Sequence, residues 1–399
     1  MRWSTYLSPA DSREHVGLLY DGAVRGLLGP GTLAGLLGDH GQRLEQAREQ
    51  AMHDPFEVVP VSAVRFRAPI PRPPSIRDFM AFEEHVHTSA AALGQDVSPV
   101  WYEVPLFYFT NPAAVRGPLD DVPIAPGSRC FDYELEIAAV IGRAGSDLDP
   151  ATAEQYIAGY LVMCDWSARD LQEHEMRGHL GPAKGKDTAT SFGAAMVTPD
   201  ELEPFRAGNA YDLEMTASVN GQPYSAGRFR DIYWRFGELL AYASRGTTLI
   251  PGDIIASGTV GTGCILELSR TRGADAYPWL QPGDQVRLDV AHLGAIESTI
   301  VAGRPVKPLR PARADLAPAG PAPAGPAPAG PAPTWPAPVG SAPVGPTGPV
   351  VNGPAPTGPA TTAFAPAGPA TADPAGPGLA EAAAASFQWP RSGDGGREN

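Results

Sequence analysis

Phe131-Asp132-Tyr133-Glu134-Leu135-Glu136-Ile137-Ala138-Ala139-Val140-Ile141-Gly142 reads as a β-strand, with aromatic and β-branched residues running into a glycine. Side chains alternate along a strand, so Glu134 and Glu136 share one face while Tyr133, Leu135 and Ile137 share the other. Two carboxylates on one face repel each other, and on an otherwise apolar strand burial adds to the cost. A hard divalent cation, which takes oxygen ligands, is the simplest compensation. The alternative is an edge strand whose Glu-x-Glu face is solvated.

The rest of the 399-residue chain divides by composition near residue 305. Residues 306–399 are nearly all Pro, Ala and Gly in loose repeats, without apolar periodicity. Such a segment cannot bury enough surface to offset its ordering entropy, so a disordered, polyproline-like tail is expected. The formal charge of −14 therefore sits mainly on residues 1–305 and argues against nucleic acid or anionic membrane as partners. Cys130, Cys164 and Cys264 have no CxxC spacing. Neither a disulfide framework nor a thiolate metal site is expected, and a reducing cytoplasm fits. The opening Met1-Arg2-Trp3-Ser4-Thr5 has no signal-peptide character, and no run approaches a membrane span.

Residues 1–65 are expected to form a small β-rich domain. Asp21-Gly22 between two alternating apolar runs signals a hairpin. Thr32 to Met52 has helical spacing and a cap in Thr32, and the prolines from Pro55 to Pro74 suggest an extended connector. Ser75 to Leu93 reads as one helix with Asp78 near its start. His85 follows seven residues later, on the same face if the helix is continuous. Neither the histidine pair at 85 and 87 nor that at 174 and 179 has the spacing of a zincin, so zinc is discounted.

Pro105 to Phe109 reads as a short aromatic strand, Ala153 to Tyr160 as helix, and Tyr160 to Cys164 as a buried strand ending at Asp165. Asp165 is placed either to reach a pocket or to cap the next helix. Gly181 to Thr190 is a polar loop without P-loop spacing. Asn220-Gly221 is a second hairpin turn. Gly258-Thr259-Val260-Gly261-Thr262-Gly263 lacks a dinucleotide context if Cys264 to Leu268 is a strand, as its composition suggests.

Asp78, Glu134, Glu136 and Asp165 thus stand out as oxygen donors suited to Mg²⁺, Mn²⁺ or Ca²⁺. His85 and Lys186 are the acid–base and electrostatic partners at hand.

Taken together, Arg77-Asp78-Phe79 with His85, Glu134-Leu135-Glu136, Asp165-Trp166-Ser167-Ala168-Arg169-Asp170-Leu171-Gln172, Gly185-Lys186, and Pro251-Gly252-Asp253 through Thr259 resemble the fumarylacetoacetate hydrolase family, over residues 65 to 303. The small N-terminal domain is consistent with its fumarylacetoacetase branch. The resemblance implies a mostly β fold with some α: a mixed, rolled β-sheet or barrel in a catalytic domain at 66–305, usually dimeric. It implies that Asp78, Glu134, Glu136 and Asp165 hold the cation, with Lys186 and Thr190 beside it. It implies His85 as general base, Glu267 as the group orienting that base and its water, and Gln172 and Thr259 as substrate contacts. Met80 and Met176 stand where fumarylacetoacetase has substrate-binding tyrosines, and no counterpart of its substrate-binding arginine follows His85. A more apolar acyl group than that of fumarylacetoacetate is therefore expected.

The implied reaction is metal-dependent hydrolysis of a carbon–carbon bond in a 2,4-diketo acid, such as fumarylacetoacetate or an acylpyruvate. The alternatives are an isomerase or decarboxylase of 2-oxo-alkenedioates in aromatic catabolism, and a proline-rich interaction protein on an idle barrel.

Overall fold

Two Asx-Gly turns show how local chemistry sets the register of the outer strands. Asp21 and Gly22 have φ of 48° and 70° and join Glu14–Tyr20 to Ala23–Gly26. Asn220 and Gly221, at 52° and 77°, join Glu214–Val219 to Gln222–Arg228. Positive φ at both central residues matches the twist of the paired strands. The computed structural model describes residues 1–307 except 30 and 93, and the Pro/Ala/Gly segment lies outside the described residues.

Leu135–Ile141 lies at the centre of the larger of two main sheets. It pairs antiparallel with Ile157–Asp165 on one side and Ile254–Ala256 on the other. Beyond Ile254–Ala256 come Ile76–Phe79 and then Phe107–Thr110. Beyond Ile157–Asp165 come Met196–Val197 and Arg2–Leu7. Gln222–Arg228, Glu214–Val219, Gln285–Val290 and Gly294–Val301 form the body of the second sheet.

Alternation along the central strand divides its side chains between two cores. Tyr133, Leu135, Ile137, Ala139 and Ile141 enter the larger one, and Ala138 and Val140 enter the other. Each fully buried large aliphatic side chain contributes roughly 1.5–3 kcal/mol. Glu134 and Glu136 share the parity of Ala138 and Val140 and are 5% and 1% exposed. The solvated-edge alternative therefore fails, because strands flank this one on both sides.

Several local expectations need correction. Asp78 is not on a helix with His85. Ile76–Phe79 is a strand, parallel to Ile254–Ala256 and antiparallel to Phe107–Thr110, and the helix is Glu83–Ala92. Four residues carry too little periodicity to reveal a strand whose backbone is satisfied from both sides. The helix expected from Thr32 breaks into a 3₁₀ turn, Leu33–Leu36, and an α-helix, Gln42–His53. Thr32 caps the turn, and positive φ at Gly38, His40 and Gly41 makes the break.

The proline-rich connector supplies strands, since Glu57–Pro60 pairs with Ala23–Gly26 and Arg65–Arg67 with Arg2–Leu7. Ala153–Tyr156 is only a 3₁₀ turn, and strand follows from Ile157. The expected boundary near residue 65 falls within one continuous sheet, because Arg2–Leu7 also pairs with Met196–Val197. Cys264 to Leu268 is not a strand but the start of the helix Ile265–Arg272. Its first amides are taken by Asp132, which accepts from Ile265 N at 2.7 Å and Leu266 N at 3.0 Å. An internal carboxylate thus occupies the place a pyrophosphate would need.

Candidate active site and metal centre

The sheet brings Asp78, Glu136 and Asp165 together from three strands. Asp78 pairs in register with Ala256, Glu136 with Met163, and Asp165 with Thr190. Oxygens of the three carboxylates lie within 4.8 Å of one another, and all three residues are buried. Each also keeps one buried oxygen without a hydrogen-bond partner: Asp78 Oδ1, Glu136 Oε2 and Asp165 Oδ1. Their other oxygens are held. The Tyr108 hydroxyl donates to Asp78 Oδ2 at 2.9 Å and also to Asp165 Oδ2. Lys186 Nζ donates to Asp165 Oδ2 at 2.7 Å, and Thr259 Oγ1 to Glu136 Oε1 at 3.5 Å. Unpaired buried carboxylate oxygens are costly, and three carboxylates this close, each with one such oxygen, form a donor set for a hard divalent cation. The residues fit such an ion.

Glu134 is used differently from the other three. It forms ion pairs with Lys186 and, at 2.8 Å, with Arg169, which also holds Asp132 at 2.8 Å. Burial pushes the Glu134 carboxyl up, but Lys186 and Arg169 outweigh it and hold the group well below the usual carboxylate range. Burial, then the charge of Asp165, raises Asp78; burial, then Asp78 and Glu134, raises Glu136. Asp165 is pushed up to about 6 by burial and by Glu134, despite its contact with Lys186. Burial opposes the charge on Lys186, yet Asp165 and Glu134 keep it above the usual lysine range.

These shifts predict how stability depends on pH in metal-stripped protein. A carboxylate whose folded value is raised binds more protons folded than unfolded, so its contribution falls as pH rises. For Asp165 the loss runs from about 4 through about 6, and Asp78 and Glu136 act in the same direction. Glu134 acts oppositely, and its contribution is lost only below the ordinary carboxylate range. A divalent cation needs the deprotonated ligands. The increase in Tm produced by saturating Mg²⁺ should therefore grow between pH 5 and pH 8 in calorimetry. An increment independent of pH would contradict this assignment.

His85 and Glu267 come from two helices that pack together, Glu83–Ala92 and Ile265–Arg272. His85 Nδ1 is hydrogen-bonded to Glu267 Oε1, and Glu267 Oε2 accepts from Thr262 N at 2.8 Å. With Nδ1–H donating to the carboxylate, Nε2 is left as the basic nitrogen. His85 is near enough to Glu134 that an imidazolium formed there would favour the ionised carboxylate.

Thr190 is buried opposite Asp165. Gln172 Oε1 accepts from Arg169 Nη1 at 3.2 Å. A Cβ at Gly185 would lie 2.6 Å from Gln172 Cβ, so only glycine lets the Lys186 loop pack this closely on the helix Arg169–Met176. Met80 and Met176 are 38% and 49% exposed, and neither belongs to the buried polar cluster.

Asp132, Tyr108 and Arg169 join the buried network without having been singled out from the sequence. Asp132 extends the two-residue alternation of Glu134 and Glu136, a signal that was available. Tyr108 is the lone hydroxyl of Phe107-Tyr108-Phe109 and gave no such signal.

Residues 75–301 match the family model described as "Fumarylacetoacetate (FAA) hydrolase C-terminal". The chain is similar to "Oxaloacetate tautomerase FAHD2A, mitochondrial" of Homo sapiens, at 27% identity over 265 residues, covering 66% of this chain and 78% of that one. Among solved structures it is similar to a fumarylacetoacetate hydrolase of Exiguobacterium antarcticum, with a TM-score of 0.58 and 25% identity over 76% of this chain and 99% of that one. It is also similar to a 5-carboxymethyl-2-hydroxymuconate delta-isomerase of Mycobacterium smegmatis, with a TM-score of 0.54 and 25% identity over 76% and 100% of the two chains. With more than half its length matched and the family's fold throughout that span, the chain belongs to the fumarylacetoacetate hydrolase family.

Proposed function

We propose that the chain is a divalent-metal-dependent hydrolase that cleaves a carbon–carbon bond in a 2,4-diketo acid. The observation that carries this reading is a histidine oriented by a buried glutamate and close to Glu134, together with a carboxylate cluster with three unpartnered oxygens. Asp78, Glu136 and Asp165, with Glu134 beside them, would hold Mg²⁺, Mn²⁺ or Ca²⁺, which when bound supplies Lewis acidity toward a keto acid. His85 Nε2 takes a proton from water, and Glu267 stabilises the imidazolium that results. The hydroxide adds to the distal carbonyl carbon. The bond between that carbon and its neighbour breaks, and the electron pair passes to the departing fragment. The Lys186 ammonium offsets the developing negative charge, and a returned proton completes a keto acid and a carboxylic acid.

A second reading draws on the human relative's name, oxaloacetate tautomerase, and on the isomerase among the similar structures. The same base would then move a proton between carbon and oxygen without adding water.

Loss of the diketo-enol absorption, followed for acylpyruvates and fumarylacetoacetate with product analysis by NMR, separates the two. Hydrolysis requires Mg²⁺, Mn²⁺ or Ca²⁺, stops in metal-stripped protein, and yields two products from one substrate. Enol loss with the carbon skeleton intact would replace hydrolysis by tautomerisation.

A further inference from the structure

A second cluster lies at the base, and its donors differ in kind from the carboxylate set. Donor atoms of His85, Cys264 and Glu267 lie within 4.8 Å of one another, and all three residues are buried. Cys264 Sγ is 3.6 Å from Glu267 Oε1. In a tetrahedral zinc site, with bonds of roughly 2.3 Å to sulfur and roughly 2.0 Å to oxygen, two such atoms stand about 3.5 Å apart. The supporting groups are fixed. Thr262 N holds the other Glu267 oxygen, and the Cys264 backbone bridges to Glu134 at the central strand. Asp132 anchors the helix that carries Glu267. Cys264 has no part in the hydrolytic reading, and hard ions such as Mg²⁺ and Ca²⁺ have little use for a thiolate.

We propose that Cys264, His85 and Glu267 form an inhibitory zinc site, distinct from the carboxylate centre. The Cys264 sulfur, one His85 ring nitrogen and one Glu267 oxygen bind Zn²⁺, leaving the fourth position to water. The thiol proton leaves to solvent, and the hydrogen bond between His85 and Glu267 opens to admit the ion. The base is then coordinated and can no longer take a proton from water. The histidine spacing alone gives no zinc motif; Cys264 and Glu267 lie far along the chain from His85 and are brought to it by folding. Zinc binding here does not depend on which reaction the enzyme performs.

The test uses full-length protein with Mg²⁺ in excess. Zn²⁺ should inhibit turnover, and the ratio of activity with and without Zn²⁺ should return toward one in C264S. Zn²⁺ affinity should fall by more than about tenfold in that variant. Co²⁺ should give a thiolate charge-transfer band in the near ultraviolet that C264S lacks, a readout independent of activity. Equal inhibition in both proteins, or a band that survives in C264S, overturns the proposal. Should C264S fail to fold, zinc X-ray absorption on C130A protein decides, since Cys130 is the partly exposed thiol. One sulfur near 2.3 Å supports the site, and a shell of oxygen and nitrogen alone overturns it.

Discussion

His85→Ala should lower kcat about 10²- to 10⁴-fold on the best 2,4-diketo acid, the range general-base catalysis supplies. The argument rests on position. Glu267 takes Nδ1 and is itself held by the Thr262 amide, so the imidazole is aimed before substrate arrives. Alanine removes the base and leaves the carboxylate cluster, which His85 does not join, in place. The variant should therefore keep the Mg²⁺-induced increase in Tm while losing turnover. Steady-state kinetics and calorimetry on one preparation read both. Retained kcat would remove His85 from the mechanism, and a lost Mg²⁺ response would mean that the change had disturbed the cluster.

Lys186→Met should destabilise the protein by about 3–5 kcal/mol at neutral pH, the usual cost of leaving a buried charge without its partner. Lys186 is buried between Glu134 and Asp165, and methionine preserves the apolar stem without the ammonium. Asp165 would then lose its cation beside Glu134, which keeps only Arg169. Against a total stability of roughly 5–15 kcal/mol for a typical domain, that loss is large. Acidification from pH 8 to pH 5 should recover part of it, because protonation neutralises the exposed repulsion. Urea unfolding at both pH values measures this. Lys184→Met is the control: Lys184 is an exposed residue 2.8 Å from Asp187 and should change stability by no more than about 1 kcal/mol. Equal effects for the two lysines would contradict the buried ion-pair assignment.

The extent to which the site was legible follows from how far each signal reaches along the chain. Glu134 and Glu136 declared a shared face because a strand's period of two operates within three residues. Asp21-Gly22 and Asn220-Gly221 declared their turns because positive φ is a property of those residues themselves. The motif from Asp165 to Gln172 carried the family resemblance by residue identity. The helix Ile265–Arg272 was misread because Cys-Ile-Leu-Glu-Leu is apolar enough for a strand, and its start depends on Asp132, more than a hundred residues earlier. Asp78 was placed on a helix for the same kind of reason: its strand exists through pairing with residues 107–110 and 254–256.

By itself, then, the sequence determined the donor chemistry: oxygen ligands on a buried strand, a histidine, a lysine and the family they spell. Only the tertiary structure decided how those groups are divided. It placed Asp78, Glu136 and Asp165 face to face, turned Glu134 toward Lys186 and Arg169, brought in Tyr108 and Asp132, and set Cys264 beside the base. The physical reason is that electrostatic compensation acts through space. A buried carboxylate takes whichever cation or neighbour the fold delivers, and sheet pairing across long separations makes that delivery.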